Sequence, residues 1–572
     1  MANSYTDIPE LKFHLHNDSM RHIAELKEQG YADAGKYDYA PVDFDDAMDS
    51  YEQVLEIVGD INANIIAQNA ESVDAEGAHC ENGRVRYAQK TYENLDAINK
   101  AGLNGMTMPR RYGGLSLPVV VYTIASEIVS AGDASFENVW SLQNCIETLY
   151  CYGTEEQRQK YIPRICEGET MSMDLTEPDA GSDLQAVTLR ATYDEANDCW
   201  RLNGVKRFIT NGDSDLHLVL ARSEEGTHDG RGLSMFIYDK RNGGVDVRRI
   251  ENKLGIHGSP TCELTFKNAR AELCGDRKLG LIRYVMSLMN GARLGIAAQA
   301  VGIQQAAYEE AVAYANSRRQ YGKEVINFPA VYDMVATIKA RLDAGRSLLY
   351  QCARYVDIYK SLEDIQRSRP LTSEERQDMK RYQRLADAFT PLAKGMNSEY
   401  CNQSTYDCIQ IHGGSGYMQE YRCQRLYRDA RITSIYEGTT QLQVVAALRY
   451  ITNGTYFTVI NELSDAIAAQ LDTCEGFDAA AFCSRIADMK ALLEQCVEFV
   501  KSKNDQDLLD YCGRSLYEMT SYIIMCQLLL VDAMRCPELF QKSLAVFFNI
   551  AESEAARHSV WIKGSEASLA TR

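Results

Sequence analysis

At 572 residues, with 45% hydrophobic and 24% charged side chains, the chain is too long for a single core and too apolar for a disordered or fibrous protein. A formal net charge of −20 and a pI near 5.0 disfavour nucleic-acid phosphates and anionic lipid surfaces, leaving small molecules and proteins as partners. The first residues carry no basic segment followed by an apolar run, and the longest apolar stretch, Tyr522 to Val531, falls short of the roughly 18 residues of a membrane span. Seventeen cysteines without any CxxC spacing argue against a metal or disulfide framework and for thiols in a reducing cytoplasm.

Taken in chain order, apolar residues recur at helical spacing from Asp45 to about Lys100, as in Ala47, Tyr51, Val54, Leu55 and Val58. A Pro and Gly-Gly break over Met108 to Leu117 precedes a second helical run, Val119 to Tyr152, and residues 1–165 read as an N-terminal α-helical domain. Over 166–278 the pattern changes to short runs rich in β-formers: Ala191 to Trp200, Arg201 to Thr210, Leu216 to Arg222, Leu233 to Asp239 and Glu263 to Phe266. Asn203-Gly204, Asn211-Gly212 and Asn242-Gly243-Gly244 read as hairpin turns, which predicts a central antiparallel β domain.

Helical patterns return at about Leu279 and run over Leu281 to Asn316, Val331 to Tyr359, Ser373 to Ile411 and Thr439 to Tyr450, giving a four-helix-bundle-like domain at 279–452. About four further amphipathic stretches fill 453–572, including Ala480 to Lys503, Leu508 to Ala533 and Leu539 to Trp561. From Ile451 on there are ten Lys/Arg against seventeen Asp/Glu, so this added bundle lacks a nucleic-acid-binding stripe. The fold class is therefore α+β: a helical domain, an antiparallel β domain, a second helical domain and an extra C-terminal helical bundle.

Four segments carry chemistry. Leu175-Thr176-Glu177-Pro178-Asp179-Ala180-Gly181-Ser182-Asp183 is a hydroxyl- and glycine-rich turn at the start of the β domain. Lys206-Arg207-Phe208-Ile209-Thr210-Asn211-Gly212 is a strand ending in an Asn-Gly turn. Ser317-Arg318-Arg319-Gln320-Tyr321-Gly322-Lys323 closes a long helix with cations. The last joins Gln410, Gly413, Gly414, Gly416, Tyr417 and Glu420 to Arg425 and Asp429, then to Ile435-Tyr436-Glu437-Gly438-Thr439-Thr440-Gln441.

Together these segments resemble the acyl-CoA dehydrogenase family over Leu103 to Tyr450. The resemblance implies FAD as cofactor and removal of two hydrogens from the Cα–Cβ bond of an acyl-CoA thioester. It gives Thr176, Ser182, Phe208 and Thr210 to the flavin ring, with Ser182 also near the pantetheine arm. Arg318 falls to the FAD pyrophosphate, since a guanidinium forks onto phosphate oxygens, and Gln320 to the same cofactor. Gln410, Gly413, Gly414, Thr439 and Gln441 hold other parts of the same cofactor. In the family that arginine reaches a neighbouring subunit's FAD, so a homo-oligomer is implied, with an electron-transfer flavoprotein as electron partner.

An acyl thioester's α-proton is a weak acid, and its removal needs a carboxylate in a dry pocket. The resemblance puts Glu437 there, flanked by the substrate-side Tyr436 and Gly438. Some members carry the base just before an arginine on an earlier helix, but the matching residue here is Ala292, which cannot take a proton; Asn290 and Arg293 are left for the CoA side. Two departures stand out: Asp174, where the family usually has a small residue, and Pro329, where relatives often have Gln. The stretch His79 to Val85, the insertion around Ser361 to Lys380 and the added tail resemble the long bacterial subgroup that includes methylmercaptopropionyl-CoA dehydrogenases. The alternatives are an acyl-CoA oxidase that returns electrons to O₂, a catalytically idle flavin-binding relative, and a nucleic-acid-associated relative that the acidic tail disfavours.

Overall fold

A computed structural model describes residues 2–471 and 476–571, so Cys474 and part of the expected 453–572 bundle lie outside the described residues. The chain divides into two compact units, residues 1–295 and 296–572.

The first unit opens with helices α1 (Pro9–Leu15), α2 (Met20–Lys27), α3 (Phe44–Ile61) and α4 (Ala67–Glu76). The helical run expected to reach Lys100 is interrupted by a hairpin of β1 (His79–Glu81) and β2 (Arg84–Arg86), whose Asn82 and Gly83 at φ 54° and 75° form the tight turn. There follow α5 (Gln89–Lys100), α6 (Val119–Gly132), α7 (Ala134–Trp140), α8 (Ile146–Tyr152) and α9 (Glu155–Cys166). The β domain holds β3 (Met171–Asp174), β4 (Arg190–Asp194), β5 (Cys199–Thr210), β6 (Leu216–Arg222), β7 (Leu233–Asp239), β8 (Val245–Ile250) and β9 (Thr261–Cys274).

The pairing path β6-β4-β5-β9-β7 returns to β6, so the sheet closes on itself, with β8 added to β9. Most pairs are antiparallel, as expected, but β3, absent from the sequence reading, lies parallel to β6. Asn203-Gly204 is not a turn: it forms a bulge inside β5, where a side chain on Gly204 would meet the Leu189 Cα at 3.0 Å, so the glycine serves close backbone approach. Strand β8 escaped the pattern because Arg248 and Arg249 break its apolar alternation. Side chains of β6 serve two cores by strict alternation: Leu216, Leu218 and Leu220 pack with Leu149, Ile162 and Ile165, whereas Val219 and Ala221 pack with Leu202, Phe236 and Leu264.

Helix α10 (Met286–Ser317) runs from the end of the first unit into the second. After it come a two-residue hairpin, β10 (Arg319–Gln320) and β11 (Lys323–Glu324), then α11 (Pro329–Ser368), α12 (Ser373–His412), α13 (Arg422–Thr433) and α14 (Thr440–Thr452). Among the described residues the tail holds four α-helices: α15 (Thr455–Ala468), α16 (Ala479–Ser502), α17 (Gln506–Arg535) and α18 (Pro537–Leu569). Helix α17 is apolar and long enough to cross a membrane, but 89% of its most apolar window is buried inside the protein. The tail is tied to α11 and α12 by buried polar bonds. Ser347 donates to Asp532 (2.6 Å), Ser543 to Asp343 (2.5 Å) and Tyr517 to the Pro391 carbonyl (2.9 Å). Among the described residues all sixteen cysteines are free thiols and no cluster suits a metal ion.

Candidate active site

In the first unit, the loop after β3 is fixed by buried charge. Glu177 and Ala180 exchange backbone hydrogen bonds of 3.0 and 3.1 Å around Pro178-Asp179, a tight turn with proline at its favoured position. The Glu177 carboxylate accepts from Thr188 N (2.8 Å), Thr188 Oγ1 (2.7 Å), Leu189 N (2.9 Å) and Lys206 Nζ (3.0 Å). Burial opposes its ionisation, but Lys206 and these donors outweigh burial and hold the carboxyl below the usual range. Lys206, fully buried, also donates to the Leu175 carbonyl at 2.8 Å, and Arg207 N donates to Thr176 O at 2.9 Å. The first two motifs are thereby joined, and half-buried Thr176 is brought beside Phe208.

Phe208 stands out within these motifs. Its ring is 52% exposed, and its backbone sits at φ 61°, a conformation costly for a bulky side chain, inside a bulge of β5. A large apolar ring held outward under strain fits the flat face of an aromatic cofactor. Thr210 is half-buried two residues on, and Asn211 at φ 54° turns the chain while donating to Met171 O at 3.3 Å. Ser182 is exposed on the far limb of the loop, past the Pro178 turn. Asp174 is wholly buried in an ion pair with His217 (2.8 Å), to which Ser172 adds bonds of 2.8 and 2.9 Å. Burial would lower the His217 imidazole, but the Asp174 charge outweighs it and holds the ring above its usual range. On α10, Arg293 donates to Asn290 at 3.3 Å, so these two expected substrate-side residues lie on one helical face.

The second unit gathers its motif residues at two places. At the joined ends of α10 and α12, Tyr314 stacks on His412 (4.2 Å) and donates to Ser415 (3.4 Å), which puts Arg318 and Gln320 at the same end of the helices as Gln410, Gly413 and Gly414. All five are exposed. No atom lies within 4 Å of where a side chain on Gly413 or Gly414 would begin, whereas one on Gly416 would strike Ile409 O at 2.7 Å. The first two glycines thus leave open a cradle that a Cβ would fill, and the third serves packing.

The other place is the turn between α13 and α14. Glu437, half-buried, is held at φ 52° with Gly438 at φ 86°. The Gly438 carbonyl accepts from Lys394 Nζ (2.7 Å) and Gln443 Nε2 (3.0 Å), and Tyr436 donates to Gln299. Thr440 donates to Glu399 at 2.6 Å, and Ser398 to Thr433 O at 2.9 Å, so α12 grips the turn and its flanks through Lys394, Ser398 and Glu399. Thr439 caps α14 by accepting from Leu442 N (3.3 Å), a structural use of its hydroxyl, and Gln441 is exposed. Lys394 and Gln443 did not stand out in the sequence. Their signal is a lysine, fully buried, within the apolar run Pro391-Leu392-Ala393-Lys394-Gly395-Met396.

Models of the acyl-CoA dehydrogenase N-terminal, middle and C-terminal domains match residues 49–169, 172–269 and 282–450. The chain belongs to the acyl-CoA dehydrogenase family. Members are oxidoreductases acting on acyl-CoA, and a fourth model, acyl-CoA dehydrogenase C terminal, matches the added bundle at 452–568. The chain is 33% identical over 431 residues to the 3-methylmercaptopropionyl-CoA dehydrogenase of Ruegeria pomeroyi, covering 71% of this chain and 70% of that one. It is 32% identical over 358 residues to a caffeyl-CoA reductase-Etf complex subunit of Acetobacterium woodii, covering 61% of this chain and 87% of that one. Among solved structures, an acyl-CoA dehydrogenase complexed with FAD from Bacillus anthracis superposes with a TM-score of 0.75 at 24% identity, over 90% of this chain and 88% of its own. That likeness shows the acyl-CoA dehydrogenase fold over nearly the whole chain, well beyond residue 450.

Proposed function

We propose that this protein is an FAD-dependent dehydrogenase that converts an acyl-CoA thioester to its 2-enoyl form, with Glu437 taking the α-proton. The observation that carries the reading is the Glu437 turn: a carboxylate at a strained backbone position, clamped through Gly438 by Lys394 and Gln443. Strain of about 1–3 kcal/mol is tolerated where the surroundings over-determine the geometry, and here the clamp fixes the backbone that carries the carboxylate. Bound FAD supplies the acceptor for the β-hydrogen. Phe208, Thr176, Thr210 and Ser182 hold and polarise its ring; Arg318, Gln320, Gln410, Gly413 and Gly414 take its phosphates and adenosine; Thr439 and Gln441 complete the set. Tyr436 and Gly438 border the acyl chain, and the Glu437 N–H supports charge developing on the thioester oxygen. Asn290 and Arg293 serve the CoA side.

Electrons leave to an electron-transfer flavoprotein, a reading supported by the Etf-associated relative, and the enzyme works as a homo-oligomer. Anaerobic titration with a panel of acyl-CoAs tests the assignment and ranks substrates by loss of the flavin's visible absorbance. Glu437→Gln keeps its yellow colour and binds the same thioester, while flavin reduction slows by about 10²-fold or more. Reduction at the wild-type rate in that variant refutes Glu437 as the base. Rapid reoxidation of the reduced enzyme by air assigns an oxidase instead.

A further inference from the structure

The added bundle touches the back of the Glu437 turn. Tyr517 of α17 is fully buried, and its hydroxyl donates to the carbonyl of Pro391 at 2.9 Å, inside α12. A side chain on Gly395 would begin 2.1 Å from the Tyr517 Oη and 3.5 Å from the Gln443 Cβ, so the tyrosine lies directly on the α12 backbone. Gly395 is the neighbour of Lys394, and Lys394 and Gln443 are the two donors on the Gly438 carbonyl, at 2.7 and 3.0 Å. A second line runs one turn away. Arg514 of α17 reaches Glu399 (3.4 Å), and the other oxygen of that carboxylate accepts from Thr440 at 2.6 Å, three residues past Glu437. Gly513 packs on Val444 and Leu448 of α14, the helix that the Glu437 turn feeds into.

We propose that the C-terminal bundle serves catalysis through Tyr517 and Arg514, positioning residues that hold the Glu437 turn from behind. Both lines end on the two segments that flank Glu437, and neither Tyr517 nor Arg514 is a residue expected to meet FAD or CoA. A base that must meet an α-carbon at near-attack distance loses up to about 10²-fold in rate for a displacement of about 1 Å, so a distant hydroxyl acts through geometry alone. The inference rests on Glu437 being the base.

The test uses full-length, FAD-loaded enzyme and an acyl-CoA that reduces the wild-type flavin, in protiated and α-dideuterated forms. Stopped-flow reduction is compared for wild type, Tyr517→Phe, Arg514→Gln and the double variant. The double variant is expected to reduce its flavin about tenfold more slowly, with a larger α-deuterium isotope effect, while FAD content and acyl-CoA affinity stay within about twofold of wild type. A lowered melting temperature with an unchanged reduction rate makes the bundle a purely structural addition and overturns the proposal; so does slower reduction with an unchanged isotope effect. Should the double variant lose FAD, the isosteric Tyr517→Phe is judged alone by the same criteria. Glu437→Gln, run alongside, separates the two claims. If it abolishes reduction while the α17 variants leave the rate untouched, the base assignment stands and the buttress falls; if it reduces normally, the base assignment itself has failed.

Discussion

Lys206 and Glu177 form the most consequential ion pair of the β domain, and its loss can be weighed from the contacts around it. Lys206→Met keeps the volume but removes two bonds from a fully buried ammonium, to Leu175 O at 2.8 Å and to Glu177 at 3.0 Å. Removing one partner of a buried pair costs about 3–5 kcal/mol, because the other charge is left uncompensated. Glu177 would keep its three donors on Thr188 and Leu189, which puts this variant near the lower end, about 3 kcal/mol. Glu177→Gln is worse, about 5 kcal/mol, since it leaves the buried ammonium without a counter-charge. The double variant buries no charge, so it should cost well under the roughly 8 kcal/mol that additivity gives, a coupling of about 3 kcal/mol or more. Urea unfolding followed by tryptophan emission reads this out: Trp140 and Trp200 lie in the first unit, and Trp561 can be removed by Trp561→Phe. Single-variant losses below about 1 kcal/mol, or additivity within about 0.5 kcal/mol, would refute the claim that this pair pins the loop.

Two further outcomes follow from the same geometry. Because Glu177 ionises below its unfolded value of about 4.3, its stabilisation is complete above that pH and is lost as pH falls through the lower folded value; urea midpoints taken on the acid side should fall more gently for Glu177→Gln than for wild type. Gly414→Ala should leave apoprotein stability within about 0.5 kcal/mol and weaken FAD binding about tenfold, since only a ligand meets the new methyl; Gly416→Ala should instead cost about 1–3 kcal/mol of stability by striking Ile409 O and His412 Cβ. Melting curves and FAD titrations of the two apoproteins, run in parallel, separate a ligand-facing glycine from a packing one.

Periodicity made the helices readable because α11, α12, α17 and α18 bury long continuous faces, and the alternation of β6 and β7 is equally plain. The failures have physical causes. At Asn203-Gly204 the composition of a turn marks a bulge, since glycine answers close approach as well as reversal. The β1–β2 hairpin is too short for strand periodicity, and β3 is a four-residue strand whose buried Ser172 and Asp174 look polar until His217 is seen to pair with them. The motif residues were legible because chemistry constrains their type. Lys394 and Gln443 were not, because their role depends on a carbonyl brought to them only by the fold.

What the sequence could not spell is the backbone on which those motifs sit. Away from them, the left-handed conformation falls mostly to glycine and polar turn residues, as at Gly77, Asn82 and Gly83, with Tyr31 and the buried Ile256 as exceptions. Within them it falls not only on Asn211 and the glycines but also on Phe208, Tyr321 and Glu437, bulky or charged residues with no conformational reason to be there. Each lies in a different motif, and each is answered by neighbours that hold it. Phe208 has the Thr176–Arg207 bond and a guanidinium 4.7 Å from its ring, Tyr321 has the two-residue hairpin, and Glu437 has the α12 clamp. Strain that recurs in three motif segments, each braced by buried or paired residues, is what a protein retains when side-chain direction matters more than local stability, and at Glu437 the bracing continues into the added bundle through Gly395 and Tyr517.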